Sequence, residues 1–231
     1  MDTMLALIGD EAIRHALLLT TRVALAALAL HALFGLGLGY LLSLPNWRGR
    51  GILDIAVTLP LVFPPMATGF LLLMLLGRRG PIGGPLHQWL GIDLVFSFWG
   101  LLLAAFISGL PLVVKPIQSA FENIPKRLAE AARTLGKTEP EIFLYVLVPN
   151  IRSAIVAGLV LALGRALGEV GITLMLGGNI AGRTVTASLE IYNAVINGDF
   201  ERAGMLSLIL GSVTVVLFSI LRRTAKSPLG W

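Results

Sequence analysis

Five long apolar runs limit what this chain can fold into: Ala16–Leu44, Ile52–Leu76, Leu94–Val114, Ile151–Leu176 and Ala203–Leu221. Each is near or above the ~20 residues a helix needs to cross the hydrocarbon of a bilayer. With no water there, a spanning segment satisfies its own backbone as a helix or pairs it in a closed barrel. Barrel strands read as segments of about ten residues alternating apolar and polar, whereas these runs are continuous. The pattern predicts an all-α integral membrane protein with about five transmembrane helices. Composition agrees, since 56% of the 231 residues are hydrophobic, against roughly 45–50% in a soluble domain.

Asp2, Asp10 and Glu11 occupy the region where a cleavable signal peptide carries basic residues. The first run is also too long for a signal peptide, so it is expected to stay as a helix. The outer loops and the tail Thr224–Trp231 are too short to hold a core. Residues 1–231 are therefore expected to form one membrane domain, its core over about 13–222. An odd number of spans puts the termini on opposite sides, and lysine and arginine collect on the cytoplasmic side. If Ala129–Pro149 is cytoplasmic, the inner side holds Arg48, Arg50, Lys115, Lys126, Arg127, Arg133, Lys137, Arg152, Arg222, Arg223 and Lys226. The outer side holds Arg14, Arg78, Arg79, Arg183 and Arg202. All four lysines fall inside, although Arg78 and Arg79 in "GRRG" pull the other way locally. The N-terminus is accordingly expected outside and the C-terminus in the cytoplasm. The formal charge of +5 reflects orientation and attraction to anionic membrane lipid. A nucleic-acid partner would need a basic face on a soluble module, which the sequence lacks.

Without cysteine, the chain can form no disulfide, thiolate metal site or cysteine nucleophile. His15, His31 and His87 are scattered, with no metal-ligand spacing, and are expected at interfaces or in packing. "GKT" at Gly136–Thr138 lacks the glycine a phosphate loop needs five residues earlier, where Ala131 stands. Gly35 and Gly39 in "FGLGLGY" have the spacing that lets two membrane helices approach closely. No serine or threonine has a histidine and a carboxylate at motif spacing, so no catalytic residue, cofactor site or metal site is assigned.

The polar stretch at about 123–150 interrupts this apolar chain. In "ENIPKRLAEAARTLG", Pro125 suits a first helical turn, Leu128, Ala131, Ala132 and Leu135 recur at helical spacing, and Gly136 suits a left-handed stop. Thr138 stands three residues before Glu141, a capping-box spacing with Pro140 in the first turn, so a second helix is expected to run towards Val148 and end at Pro149. Such a helix-turn-helix could seat itself in a partner's groove or lie flat at the headgroups, and pattern alone fits both.

Glu130-Ala131-Ala132, three residues, Gly136, nine residues, then Val146-Leu147-Val148-Pro149 resembles the EAA loop of bacterial ABC importer permeases, EAA-x3-G-x9-I-x-LP. Val146 and Val148 replace isoleucine and leucine and keep the apolar character. The resemblance implies a type I importer permease fold in which Ala129–Gly136 is a coupling helix seated on a cytoplasmic ATPase subunit. Glu130, Ala131, Ala132, Arg133, Gly136 and Pro149 would then be the coupling residues. Leu59–Gly83 and Gly164–Val195 are similar to molybdate permeases of the ModB type, and related tungstate and sulfate permeases share parts of that pattern. The resemblance further implies a permease homodimer, two ATP-binding subunits that hold the ATP, an extracytoplasmic oxyanion-binding protein and a bacterial inner-membrane location.

Other positions carry two readings each. Pro60, Pro64 and Pro65 interrupt the second run, either as a bend beside a pathway or as a packing kink. Arg165 and Glu169, four apart on the fourth run, share a helix face; they belong to the pathway or only fix packing. Arg78, Arg79, Asn179 and Arg183 either touch the binding protein or are simply solvated. An autonomous anion channel or carrier, or a membrane-embedded enzyme, would need transport or turnover by this chain alone.

Overall fold

The computed structural model describes residues 10–45 and 47–225. Asp2, Lys226 and the end of the tail lie outside the described residues, as do the side chains of Arg222 and Arg223. Among the described residues every regular element is a helix. Helix α1 is Glu11–Ser43 and starts where Asp10 accepts the Ala12 N–H at 2.9 Å. It stops at Leu44, which is extended ahead of Pro45 as a residue before proline must be. The expected long second helix is instead α2, Arg50–Val62, and α3, Pro65–Leu76. Pro60 remains in the last turn of α2, Pro64 holds Phe63 extended, and Pro65 opens α3.

A short α4, Gly83–Leu90, leads to α5, Phe98–Glu122, which packs along α1, α2, α8 and α9. Helix α6 is Lys126–Thr134 and α7 is Glu139–Asn150, followed after a 69° bend by α8, Arg152–Leu167. The fourth run breaks at Gly168–Val170 before α9, Gly171–Gly177; then come α10, Ala187–Ile196, and α11, Phe200–Ala225. The break expected at Pro60, Pro64 and Pro65 thus separates two helices, and a second break falls within the fourth run. Among the described residues three helices are long and apolar enough to cross alone (α1, α5 and α11 over Phe200–Ser219), and α7–α8 pass that test only together. Proline-imposed extended residues break the second run, and the third-to-fourth junction folds as a bent pair.

Helix α5 is the axis of the bundle, with 61% of its apolar window buried against 11% for α11. Its seam with α1 depends on small residues. A Cβ on Gly35 would lie 2.4 Å from Val113 Cγ1, and one on Gly39 would lie 2.4 Å from Ile117 Cγ2, so only glycine admits these neighbours. His31 is fully buried on the same seam, its Nε2 2.8 Å from the Phe106 carbonyl and its ring stacked on Phe106. The outer face is apolar and exposed, with Ile52 at 78%, Val62 at 79% and Leu208 at 70%, the surface that lipid or a partner helix covers.

Helix α1 has 33 residues, which makes it about 50 Å long, and its two ends carry different polar clusters. At its C-terminal end Arg50 pairs with Glu122 at 2.9 Å and Lys115 with Asp54, and the α6–α7 segment follows directly from α5. At its N-terminal end Arg202 pairs with Asp10 at 3.2 Å, and the Ala187 N–H donates to Thr20 Oγ1 at 2.8 Å. Asp10 and the α6–α7 segment therefore stand at opposite ends of the bundle.

Candidate functional site

The polar stretch folds as an arm of two short helices. Pro125 precedes α6, and α6 ends in the paired hydrogen bonds of a left-handed glycine cap: Lys137 N to Ala132 O at 3.1 Å and Gly136 N to Arg133 O at 2.9 Å, with Gly136 at φ +80°. Thr138 starts α7, its N–H and hydroxyl both donating to Glu141 Oε2, at 2.9 and 3.0 Å. These are the sequence-expected start and stop. Arg133 then grips Glu139 with two bonds, Nε–Oε1 at 2.6 Å and Nη2–Oε2 at 3.1 Å, and Lys137 meets Glu141 at 3.0 Å. The two helices are thus cross-tied into one body.

Their electrostatics follow from those contacts. The Thr138 backbone N–H, then Lys137, hold the Glu141 carboxyl down at about 2. The Arg133 guanidinium lowers Glu139, and Glu139 raises Arg133. Of the motif residues, Glu130, Ala131 and Arg133 are exposed, while Ala132 is buried at 7%. The arm therefore offers Glu130 and Arg133 outward, with the small Ala131 exposed between them and Ala132 buried, a shape that can enter a cleft edge-on.

The expected end of α7 at Pro149 is corrected: the helix continues to Asn150. Residues Phe143–Leu147 form a π-turn, closed by Val148 N to Phe143 O, and the α-helical register restarts at Val148. Pro149 therefore sits in a first turn, where its missing N–H has no bond to lose. Tyr40, Phe121 and Phe143 meet at this turn, a grouping that sequence reasoning missed because the three lie far apart along the chain.

Within the bundle, Arg165 Nη2 lies 2.7 Å from Glu169 Oε2, as four-residue spacing predicts, with the Glu169 side chain 1% exposed and that of Arg165 33%. Glu169 stands in the break between α8 and α9, where its other oxygen accepts the Ile172 N–H at 2.8 Å. The pair spans an interruption rather than lying on one continuous helix. Helix α3 packs on α9, and Pro65 lies against its start, where a Cβ on Gly171 would fall 2.8 Å from Pro65 Cβ.

At the opposite end, Arg78 is held by Asp93 through two bonds of 2.9 and 2.6 Å. Asp93 also lies 3.0 Å from His87 Nδ1. Asn179, at φ +51°, exchanges amide bonds with Asn193 at 2.7 and 3.1 Å. Both residues are committed to their own fold. Arg79 and Arg183 are exposed, and Arg183 lines, with Arg78 and Asp93, an open recess of about 460 Å³.

Residues 33–225 match the family described as binding-protein-dependent transport system inner membrane component. The chain is 37% identical over 220 residues, 94% of its length and 96% of the relative's, to the molybdenum transport system permease protein ModB of Escherichia coli K12. It is 32% identical over 227 residues, 96% and 82% of the two lengths, to the sulfate transport system permease protein CysW of Synechocystis. Among solved structures, a chain of a bacterial alginate ABC transporter, solved in complex with an alginate pentasaccharide-bound periplasmic protein, superposes with a TM-score of 0.78 over 99% of this chain and 85% of that one. At 20% identity that likeness speaks for the fold.

Proposed function

The chain belongs to the binding-protein-dependent transport system inner membrane component family and is the membrane permease of an ABC importer; from that premise we propose that it carries molybdate. The supporting observation is the 37% identity to a molybdenum permease along nearly the whole of both chains. In this reading ATP is bound and hydrolysed by a separate subunit, two copies of which serve a permease homodimer. The α6–α7 arm lies in the cytoplasm, its exposed Glu130 and Arg133 at the rim of the ATPase cleft. The N-terminus is extracytoplasmic, the C-terminus is cytoplasmic, and the chain crosses the bacterial inner membrane about five times if each broken run counts as one span. ATP-driven closure of the motor subunits displaces the arm and reorganises the pathway between the two permeases.

The Arg165–Glu169 pair leaves little net charge to hold a dianion, so selection falls to an extracytoplasmic binding protein that docks at the Arg79 and Arg183 end. The broken run at Pro64–Pro65 faces α9 and supplies a bend beside the pathway. Sulfate is the second reading, favoured by the 32% identity to a sulfate permease. The test is purification with the ATPase and binding protein, reconstitution into vesicles, and measurement of ATP-dependent uptake of molybdate, tungstate and sulfate. Preferential molybdate uptake is expected; selective sulfate uptake would overturn the substrate while leaving the permease role.

A further inference from the structure

Where the α6–α7 arm joins the bundle, three aromatic rings from three elements interlock. Tyr40 is in the last turn of α1, Phe121 in the last turn of α5, and Phe143 opens the π-turn of α7. Ring centroids are 5.2 Å apart for Tyr40–Phe121 and 4.7 Å for Tyr40–Phe143, both edge-to-face, and 6.0 Å for the stacked Phe121–Phe143 pair. Each ring touches both others, so one cannot shift without the rest.

The mechanics on either side differ. The arm is stiffened by the Arg133–Glu139 and Lys137–Glu141 pairs. A π-turn is a local departure from α-helical bonding that recurs at functional sites. Here it lies at the root of the arm, next to the 69° bend into α8. The compliant point of the arm thus coincides with the ring contact. Beyond the rings, Phe121 packs in one apolar cluster with Val113 and Ile117 of α5 and Ile151 and Ala162 of the α8 side. The glycine seam locks α1 to α5 along that cluster.

We propose that Tyr40, Phe121 and Phe143 form the joint that delivers displacement of α6 to α1 and α5, which makes them positioning residues for transport. This rests on the reading of α6 as the helix that docks on the ATPase. The test uses the complete complex in vesicles, with molybdate uptake and ATP hydrolysis measured together. Tyr40→Leu and Phe143→Leu keep apolar bulk and remove a ring, whereas Tyr40→Phe keeps the ring. Anion moved per ATP is expected to fall about fivefold or more in the leucine variants and to stay within about twofold in Tyr40→Phe, with ATPase co-purification unchanged. Rings that only fill space would lower uptake, hydrolysis and assembled complex together and leave the ratio alone; that result, or an unaltered ratio, overturns the joint. If a leucine variant does not assemble, Phe121→Met takes its place and the same ratio decides. If the parent complex shows no ATP-driven uptake, or a cysteine at Glu130 never cross-links to the ATPase, the functional reading itself falls. Parent uptake with an unchanged ratio in the variants removes only the joint.

Discussion

Moving one methyl group across the α1–α5 seam tests what holds this bundle together. In lipid the hydrocarbon around a helix is as apolar as its partner, so close packing rather than burial decides association. Alanine at Gly35 would put its Cβ 2.4 Å from Val113 Cγ1, more than 1 Å inside the ~3.5–4.0 Å optimum of two carbons. Val113 is fully buried, so it has nowhere to turn, and the strain is expected to cost about 1–3 kcal/mol. Val113→Ala alone removes two methyls from a closed site, a loss of about 1–3 kcal/mol. Combined, the 2.4 Å clash is gone and the new methyl meets Val113 Cβ at 3.1 Å, a contact that a shift of a few tenths of an ångström relieves. The double variant should therefore be more stable than the sum of the singles by about 1–3 kcal/mol, a coupling of the size seen for residues in contact. Thermal unfolding in detergent, followed by tryptophan fluorescence, reads this as a recovery of about 2–4 °C per kcal/mol for a chain of this size. Additive losses, or a Gly35→Ala variant as stable as the parent, would refute the reasoning.

Gly136→Pro forces φ from +80° to about −65° and deletes the N–H that caps α6; ATP hydrolysis without uptake, or loss of the assembled complex, is expected, and normal ATP-dependent uptake counts against the coupling role. Glu141 has its folded pKa held at about 2 from an ordinary 4.5, so its contribution is complete above the ordinary value and fades as pH falls through the folded one. A spin label on Leu135→Cys should loosen as pH falls between those limits in the parent, and the transition should be smaller with Glu141→Gln, where only the Arg133–Glu139 tie is left to titrate. Arg165→Met strands a carboxylate that is 2% exposed and should cost about 3–5 kcal/mol, whereas adding Glu169→Gln should restore most of the melting temperature; equal damage from both variants would remove the pairing. Because the chain has no cysteine, single cysteines at Leu135 and Trp89, exposed by 81% and 82%, report orientation cleanly. Labelling of Leu135 only from the cytoplasm and of Trp89 only from outside is expected, and labelling from the same side would refute the topology.

Local chemistry was readable directly. The capping pair Thr138–Glu141, the left-handed stop at Gly136, the close approach at Gly35 and Gly39, and the Arg165–Glu169 pair each depend on residues a few positions apart, where helix geometry leaves little choice. Pro64 and Pro65 announced a break, though not that both flanking pieces would be separate helices. Pro149 misled as a terminator, because its effect depends on the π-turn before it. Arg78 and Asn179 looked free, but Asp93 and Asn193 hold them.

By itself, the sequence determined that this chain is helical and lives in lipid, because about twenty apolar residues in a row can satisfy their backbone there in only one way. It also determined the arm, whose caps are made by neighbours along the chain. Only the tertiary structure decided that Tyr40, Phe121 and Phe143 share one contact and that α5 is the axis. Those facts depend on which helix faces lie together, and inside a bilayer nearly every face is equally apolar, so hydrophobic pattern carries no record of the choice. Shape makes it, through glycine gaps and ring packing, and shape is a property of pairs of surfaces rather than of any one stretch of chain.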